Sequence, residues 1–178
     1  MSIPYIMDNA TSFAAPRTEP AGQRILVLGL GNDILCDDAI GLRVVREVRR
    51  RLRPDEEIEV EETEEMGLCL LDYISGYRGL VLVDSIQRGT LPAGEIHEIR
   101  ADDLRTLSYS APHFLGIGET LALGRELGLP MPDMIRILAI EVEEPHLLST
   151  EMTPPLQRAL PDLVQRVLTT ARGLAEQR

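Results

Sequence analysis

Two acidic residues and one histidine stand where they can bind a metal ion together. Asp38 follows a glycine-rich turn, Asp84 ends a run of aliphatic residues, and His113 precedes a segment with helical spacing. Two carboxylates and an imidazole form a common mixed oxygen and nitrogen ligand set for divalent transition metals. Nickel, zinc and cadmium all fit these donors, and either carboxylate can also serve as a general base.

The elements that must position these residues alternate between strands and helices. Short apolar runs predict buried strands, and apolar residues at helical spacing predict amphipathic helices. The polar and apolar alternation at 95–99 predicts an edge strand with one face in solvent. The predicted strands are 25–28, 58–60, 80–84, 95–99 and 135–140, and the predicted helices are 38–52, 66–74, 115–127 and 156–174.

This order predicts an α/β fold: a three-layer sandwich in which a mostly parallel, twisted sheet of about five strands carries helices on both faces. Residues 24–178 are expected to form a single domain, preceded by a poorly ordered N-terminal extension at 1–23. Ligands of open parallel sheets bind beyond the carboxyl ends of the strands. We therefore expect Asp38, Asp84 and His113 to meet at one edge of the sheet.

Each candidate residue also has a purely structural interpretation. Asp37 and Asp38 stand at the start of a predicted helix, where capping the helix is the commoner role of an acidic residue. Asp84 is harder to explain in this way, because a carboxylate at the end of a buried aliphatic strand is costly unless it is paired, capped or bound to metal. A single histidine such as His113 is more often structural, but the two acids expected nearby favour a role as a metal ligand.

The glycines after the first predicted strand do not complete a dinucleotide-binding motif. Gly29 and Gly31 have the first spacing of that motif, but Ile34 occupies the position of its third glycine. We expect these glycines to allow a tight turn and a close approach of the backbone to a ligand.

The composition argues against several classes of function and location. A net charge of −11 opposes nucleic-acid binding, which needs clustered Lys and Arg. Two cysteines cannot build a disulfide framework, no apolar run reaches the ~18 residues of a membrane span, and no signal peptide is recognisable. We expect a cytoplasmic protein in which Cys69 belongs to the core, Cys36 has no activating base, and His97 and His146 lie at the surface.

Three motifs resemble those of the hydrogenase maturation endopeptidases, which process the large subunit of nickel-iron hydrogenases. They are Gly-Leu-Gly-Asn-Asp-Ile-Leu-Cys-Asp-Asp-Ala-Ile-Gly at 29–41, Leu-Val-Asp-Ser-Ile at 82–86 and Pro-His-Phe-Leu-Gly at 112–116, and Glu-Pro-His follows at 144–146. The resemblance covers nearly everything from Arg24 to the last predicted helix. Segment 61–67 departs from it, because it retains Thr63 and Gly67 of a turn found in many members but is far more acidic.

The resemblance implies that Asp38, Asp84 and His113 bind the nickel of the immature large subunit, a metal that arrives with the substrate. Zinc or cadmium can take the same place. The enzyme then removes a short C-terminal extension from the large-subunit precursor, with Asp38 and Asp84 as the catalytic candidates of an aspartyl-type endopeptidase. Neither a nucleic acid nor a membrane is expected as a partner. The candidate substrate-binding residues are Gly31, Asn32 and Thr63.

Two other functions stay open at this point. Peptidyl-tRNA hydrolases resemble the chain in a glycine-rich opening and a related fold, but Pro-Gly follows their motif where Asp33 and Ile34 follow here. A nickel-sensing chaperone or docking module that binds the same subunit without cutting it is the second alternative, because no conventional protease nucleophile is visible. The sequence also leaves open whether Asp33, Asp37 or His146 assists the chemistry.

Overall fold

The computed structural model describes residue 22 and residues 24–100 and 112–177, with the backbone alone at residues 100 and 112–115. Almost all of the expected N-terminal extension at 1–23 therefore lies outside the described residues. The first strand, β1 (Ile25–Leu30), consists wholly of buried residues. Helix α1 (Ile40–Arg51) follows it and buries an aliphatic face, while arginines occupy its last turn.

Among the described residues, five strands form one sheet in the order β2-β1-β3-β5-β4. Strands β2 (Ile58–Thr63), β1, β3 (Gly79–Ile86) and β5 (Met134–Glu141) run parallel, whereas the edge strand β4 (Ile96–Arg100) runs antiparallel to β5. The carboxyl ends of the four parallel strands consequently share one side of the sheet, which we term the carboxyl edge. The predicted α/β class with a mostly parallel sheet is confirmed.

Helices cover both faces of this sheet and create two cores. Helices α1 and α4 (Pro154–Glu176) pack against the odd-numbered residues of β1 and β3. The short helix α2 (Leu70–Ile74) and helix α3 (Pro112–Glu126) are on the other face, where the even-numbered residues of the same strands are buried. A strand covered on both faces has no solvent side, which explains its unbroken apolar sequence. None of the helices in the described ranges has the length and hydropathy needed to cross a bilayer.

The element boundaries differ from the sequence prediction mainly near the candidate residues. Strand β3 continues to Ile86, so Asp84 lies inside a strand rather than at its end. Helix α1 begins at Ile40, and Ala39 precedes it without a side-chain capping bond. The capping interpretation of Asp37 and Asp38 is therefore wrong, because both carboxylates bind partners elsewhere in the chain.

Helix α1 rests directly on the ends of β1 and β3 because position 41 is a glycine. A Cβ atom added to Gly41 would lie 2.0 Å from the carbonyl oxygen of Leu30 and 2.7 Å from that of Val83. Both neighbours are backbone atoms, which cannot yield unless the helix moves away from the sheet. Gly41 thus sets the distance between the loop that carries Asp38 and the strand that carries Asp84.

The variant Gly41→Ala is expected to destabilise the protein by ~3 kcal/mol, because overpacking at a backbone contact forces the helix off the sheet. Gly173→Ala in α4 is the matched control, since a Cβ added there meets nothing within 4 Å. Alanine at position 173 should stabilise the protein by ~0.5–1 kcal/mol through its higher helix propensity. Urea unfolding measures both changes, and a similar change in the two variants would contradict the close-packing argument.

Candidate active site

Ser85 joins the two candidate acids at the carboxyl edge. Its hydroxyl donates a hydrogen bond to Asp38 Oδ1 at 2.6 Å, and its backbone N–H donates to Asp84 Oδ1 at 2.8 Å. Successive side chains of a strand point to opposite faces, so Ser85 faces the α1 layer while Asp84 faces the α3 layer. Asp38 is nevertheless close enough for its negative charge to contribute to a raised pKa of Asp84, so the structure places the two acids near each other. The sequence analysis did not select Ser85 as a candidate. The feature that could have identified it is a hydroxyl residue next to an acid in a buried strand.

Asp84 is buried with one carboxylate oxygen unused. The residue is 2% exposed, and its Oδ2 has no hydrogen-bond partner among the residues that the structure describes. Burial raises the pKa of Asp84 from 3.8 to about 7, the N–H of Ser85 opposes this change, and the negative charge of Asp38 adds to it. A buried carboxyl group with a free oxygen and a pKa near neutrality is suited to bind a cation or to exchange a proton.

The neighbouring Asp37 anchors the loop that carries Asp38. Asp37 is fully buried, and its carboxylate accepts hydrogen bonds from the backbone N–H groups of Glu143, Glu144 and Thr153 at 3.2, 2.9 and 2.8 Å. The Thr153 hydroxyl donates a fourth bond at 3.1 Å. These donors lie between β5 and α4, so one carboxylate ties that segment to the loop after β1. Both carboxylate oxygens of Asp37 are thus bonded within the described part of the chain, which favours a structural role for this residue.

Asp33 is likewise occupied by partners within the fold. Arg46 of α1 donates two hydrogen bonds to its carboxylate, at 2.8 and 2.6 Å, and a third at 2.8 Å to Glu62 of β2. The hydrogen bonds from Arg46 hold the pKa of Asp33 below its ordinary value. Asp33 thus links the loop after β1 to the outer face of α1.

The three candidate substrate-binding residues all lie at the carboxyl edge. Gly31 has a φ of 150°, and a Cβ added to it would lie 2.2 Å from the carbonyl oxygen of Asp38. Glycine is therefore required at position 31 because the backbone there lies against the loop at Asp38. The predicted close approach to a ligand does not explain this glycine. The side chains of Asn32 and Thr63 each accept a backbone N–H from two residues further along the chain. Their contact with a substrate stays a prediction.

His113 is the second residue of α3, a helix on the same face of the sheet as Asp84. Its side chain is outside the described part of the structure, as are residues 101–111, which include most of the loop predicted at 108–113. Within the described residues, no three His, Cys, Asp or Glu side chains form a group that can hold a metal ion. The role of His113 as a third ligand stays a prediction that is supported by the position of its helix.

A buried histidine–glutamate pair that the sequence did not suggest lies on the same face as Asp84. His97 Nε2 is 2.6 Å from Glu141 Oε2, and the two side chains are 13% and 2% exposed. Glu141 also accepts the N–H groups of Arg88 and Gly89, which holds the turn after β3. The prediction that His97 is solvated is wrong because Glu141 on the neighbouring strand binds it. The signal was present, since Glu141 is an acid at the end of a buried strand.

The remaining candidates are peripheral to this chemistry. His146 is exposed, as predicted. Cys69 is exposed rather than part of the core, because it ends a short 3-10 turn instead of lying on a longer helix. Cys36 is buried, its Sγ is 3.2 Å from the carbonyl oxygen of Glu151, and burial raises the pKa of its thiol. A thiol that resists ionisation in this way is a poor nucleophile.

Comparisons with known proteins bear on the reaction. A family model described as HycI, hydrogenase maturation protease, matches residues 42–170. The chain belongs to the hydrogenase maturation protease family. A hydrogenase 2 maturation protease of Escherichia coli is 28% identical over 153 residues, which make up 84% of this chain and 91% of that protein.

Solved structures agree with this family assignment. The hydrogenase-maturating endopeptidase HybD from E. coli has a TM-score of 0.72 and 28% identity, over 85% of this chain and 93% of that one. The NiFe hydrogenase maturation protease HybD from Thermococcus kodakarensis, 22% identical over 84% of this chain and 99% of that one, shares the fold with a TM-score of 0.63. This member of the hydrogenase maturation proteases is therefore a peptide hydrolase. The family match contains Asp84 and His113 and begins after Asp38, and the roles of these three residues stay predictions.

The variant Asp84→Asn removes a buried ionisable group from this protease and keeps an oxygen that can accept a hydrogen bond from the Ser85 N–H. The pKa of Asp84 is about 7 in the folded chain against an ordinary 3.8, so the folded state binds the proton more tightly. Wild-type stability must then fall as pH rises through this window, with a slope on the order of 1 kcal/mol per pH unit. We expect Asp84→Asn to gain stability over wild type from pH 4 to pH 7, reaching roughly a few kcal/mol. Urea unfolding without added divalent metal measures this difference.

Asp33→Asn is the control of opposite sign. The pKa of Asp33 is lowered by its hydrogen bonds from Arg46, so its carboxylate stabilises the fold above its ordinary pKa and ceases to do so in acid. This variant should be less stable than wild type at pH 7, and the deficit should shrink as pH falls below the ordinary pKa of 3.8. If the stability difference from wild type changed in the same direction with pH in both variants, burial would not be raising the pKa of Asp84.

Proposed function

We propose that this protease removes a C-terminal extension from the nickel-loaded precursor of a nickel-iron hydrogenase large subunit. The supporting observation is the pair of acids, Asp38 and Asp84, that Ser85 aligns at the carboxyl edge, with Asp84 Oδ2 buried and without a partner among the described residues. Family membership limits the reaction to peptide hydrolysis. The E. coli relative is named for the maturation of hydrogenase 2, which supports a hydrogenase subunit as the substrate.

The nickel ion in this proposal belongs to the substrate. Asp38, Asp84 and His113 supply two carboxylates and an imidazole, a donor set that suits Ni²⁺ and also accepts Zn²⁺ or Cd²⁺ as substitutes. The fit is supported by Asp84 Oδ2, because a buried oxygen without a donor gains a partner when a cation binds. A divalent ion at this position polarises a nearby carbonyl group and favours attack on it.

The chain's own contribution is acid–base chemistry by Asp38 or Asp84. Whichever carboxylate oxygen does not bind the cation would take a proton from the attacking water and return it to the leaving amine. The pKa of about 7 applies to Asp84 without metal, because a bound cation favours the ionised carboxylate. The Ser85 hydroxyl holds the carboxylate of Asp38 beside it, so that the two acids are preorganised for different tasks. The buried thiol of Cys36 does not compete as a nucleophile. The reaction is thus of the aspartyl type.

The family assignment also bears on the two alternatives. The similar proteins are named proteases and endopeptidases, which opposes both a tRNA hydrolase and a docking protein that does not cleave. The net charge of −11 further opposes binding to tRNA phosphates. A cytoplasmic location belongs to the proposal and is supported by two free cysteines, one of them buried.

The test is incubation of the protein with a nickel-loaded large-subunit precursor, followed by mass measurement of the large subunit. Wild type should shorten the subunit, and Asp38→Ala, Asp84→Ala and His113→Ala should each lower the rate at least ~100-fold. His146→Ala is the matched control, because this histidine is exposed and should leave the rate unchanged. Normal cleavage by all three variants would refute the site, and a stable complex without cleavage by wild type would support the docking alternative.

Ser85→Ala tests whether this serine positions the acids. The variant loses the hydroxyl bond to Asp38 and keeps the backbone bond to Asp84, so we expect kcat to fall ~10-fold, in line with a lost hydrogen bond to a charged group. Nickel binding by the isolated protein, measured by calorimetry, should weaken ~10-fold as well. Ser75→Ala is the control, because Ser75 is buried and its hydroxyl has no partner among the described residues. Equal effects of the two substitutions would remove Ser85 from the site.

A further inference from the structure

The register of the sheet places His97 in line with Asp84. Asp84 of β3 pairs with Ala139 of β5, and Ala139 pairs with His97 of the edge strand β4. Residues that pair across neighbouring strands point to the same face of a sheet, so these three side chains form one row. Neighbouring strands lie ~4.8 Å apart, which puts the Cα atoms of Asp84 and His97 roughly 10 Å from each other. Within this row, only the methyl group of Ala139 stands between them.

The face of the sheet changes from apolar to polar at this row. The adjoining row, toward the amino ends of the parallel strands, consists of buried aliphatic residues, namely Leu82, Ile137 and Ile99. At the row of Asp84 and beyond it, the same face carries His97 and Glu141. Ionisable groups are costly to bury, and a cluster of them next to a candidate catalytic acid indicates a functional role.

Glu141 determines which nitrogen of His97 carries a proton. Glu141 Oε2 is 2.6 Å from His97 Nε2. Burial raises the pKa of Glu141, but the hydrogen bonds from His97 and from the N–H groups of Gly89 and Arg88 together hold it below its ordinary value. An ionised carboxylate can only accept a hydrogen bond, so Nε2 of His97 must donate one. In the neutral ring, Nδ1 is then an acceptor.

The Nδ1 atom of His97 is available to a ligand. Within the described part of the chain, no residue forms a hydrogen bond with it. The side chain of His97 is 13% exposed, whereas Asp84 and Ala139 are buried. His97 is therefore the member of the row that reaches the surface, and it presents an acceptor whose polarity Glu141 has fixed.

We propose that His97 is a substrate-binding residue, whose Nδ1 accepts a hydrogen bond from a backbone N–H group of the polypeptide about three residues from the scissile bond. Glu141 is the positioning residue that orients its ring. This inference rests on the proposed function, since it takes Asp84 as the place of cleavage. The spacing follows from the register, because an extended chain covers the roughly 10 Å between Asp84 and His97 in about three residues. A contact to the backbone aligns the polypeptide whatever side chains it carries.

The variant Glu141→Gln tests the proposal by reversing the polarity of the ring. Glutamine keeps an oxygen for the N–H groups of Arg88 and Gly89 and turns an amide NH2 group toward His97, so Nε2 must accept and Nδ1 must carry the proton. NMR of the ring nitrogens should find the proton at Nε2 in wild type and at Nδ1 in the variant. In cleavage of the nickel-loaded precursor, we expect KM to rise about tenfold and kcat to stay within about twofold, because one hydrogen bond to the substrate is lost.

Glu98→Gln is the matched control on the same strand. Glu98 lies on the opposite face of β4, where it pairs with Arg136 and Arg166, so this variant also removes a paired carboxylate. It should leave both the ring proton and KM unchanged. An equal rise in KM in the two variants would overturn the proposal, as would an unchanged KM in Glu141→Gln or a proton at Nδ1 in wild type.

A second variant and a binding measurement complete the test. His97→Gln removes the ring and leaves Glu141 bonded to the turn after β3, so its KM should rise to a similar extent, and a KM equal to that of wild type would overturn the proposal. If wild type does not cleave the precursor, the proposed function fails, and sedimentation of the uncut mixture compares binding directly. Weaker binding by Glu141→Gln than by wild type would then support the role of His97, and equal binding would overturn it.

Discussion

The burial of one carboxyl group beside another is the constraint on which the rest of this structure depends. Asp84 lies within a fully buried strand, one of its oxygens has no donor among the described residues, and its pKa is about 7. Such a position disfavours the ionised form in the free chain. This burial also favours a cation or a proton at Oδ2. The feature that lowers the stability of the free chain is therefore the one that suits Asp84 to bind a cation or exchange a proton.

Contacts elsewhere in the fold fix the loop of Asp38 and the strand of Asp84, and none of those described occupies Asp84 Oδ2. Gly41 lets α1 lie against the ends of two strands, and Asp37 joins the loop after β1 to the segment before α4. Arg46 fastens the same loop from its other side through Asp33. Three acids in one short loop therefore have three different environments, and Asp38 is the one whose carboxylate reaches Ser85 and the neighbourhood of Asp84.

The carboxyl edge combines a small polar centre with an apolar surround. Asp38 lies in the loop after β1 and Asp84 lies near the carboxyl end of β3, and exposed aliphatic side chains project from the segments that follow the parallel strands. In a parallel sheet these loops all emerge on one side, so the topology itself places the two candidate acids and these exposed side chains on the same side of the sheet.

The sequence by itself determined the α/β class, the strands and helices, and the position of Asp38 and Asp84 at one edge, because buried strands and amphipathic helices leave distinct apolar periodicities. Its three motifs also indicated the family. Only the tertiary structure decided what each polar residue does: Asp37 anchors a loop, His97 binds Glu141, and Ser85 orients both acids. These roles depend on contacts between residues far apart in the chain, and the spacing of residues along one segment carries no information about such contacts.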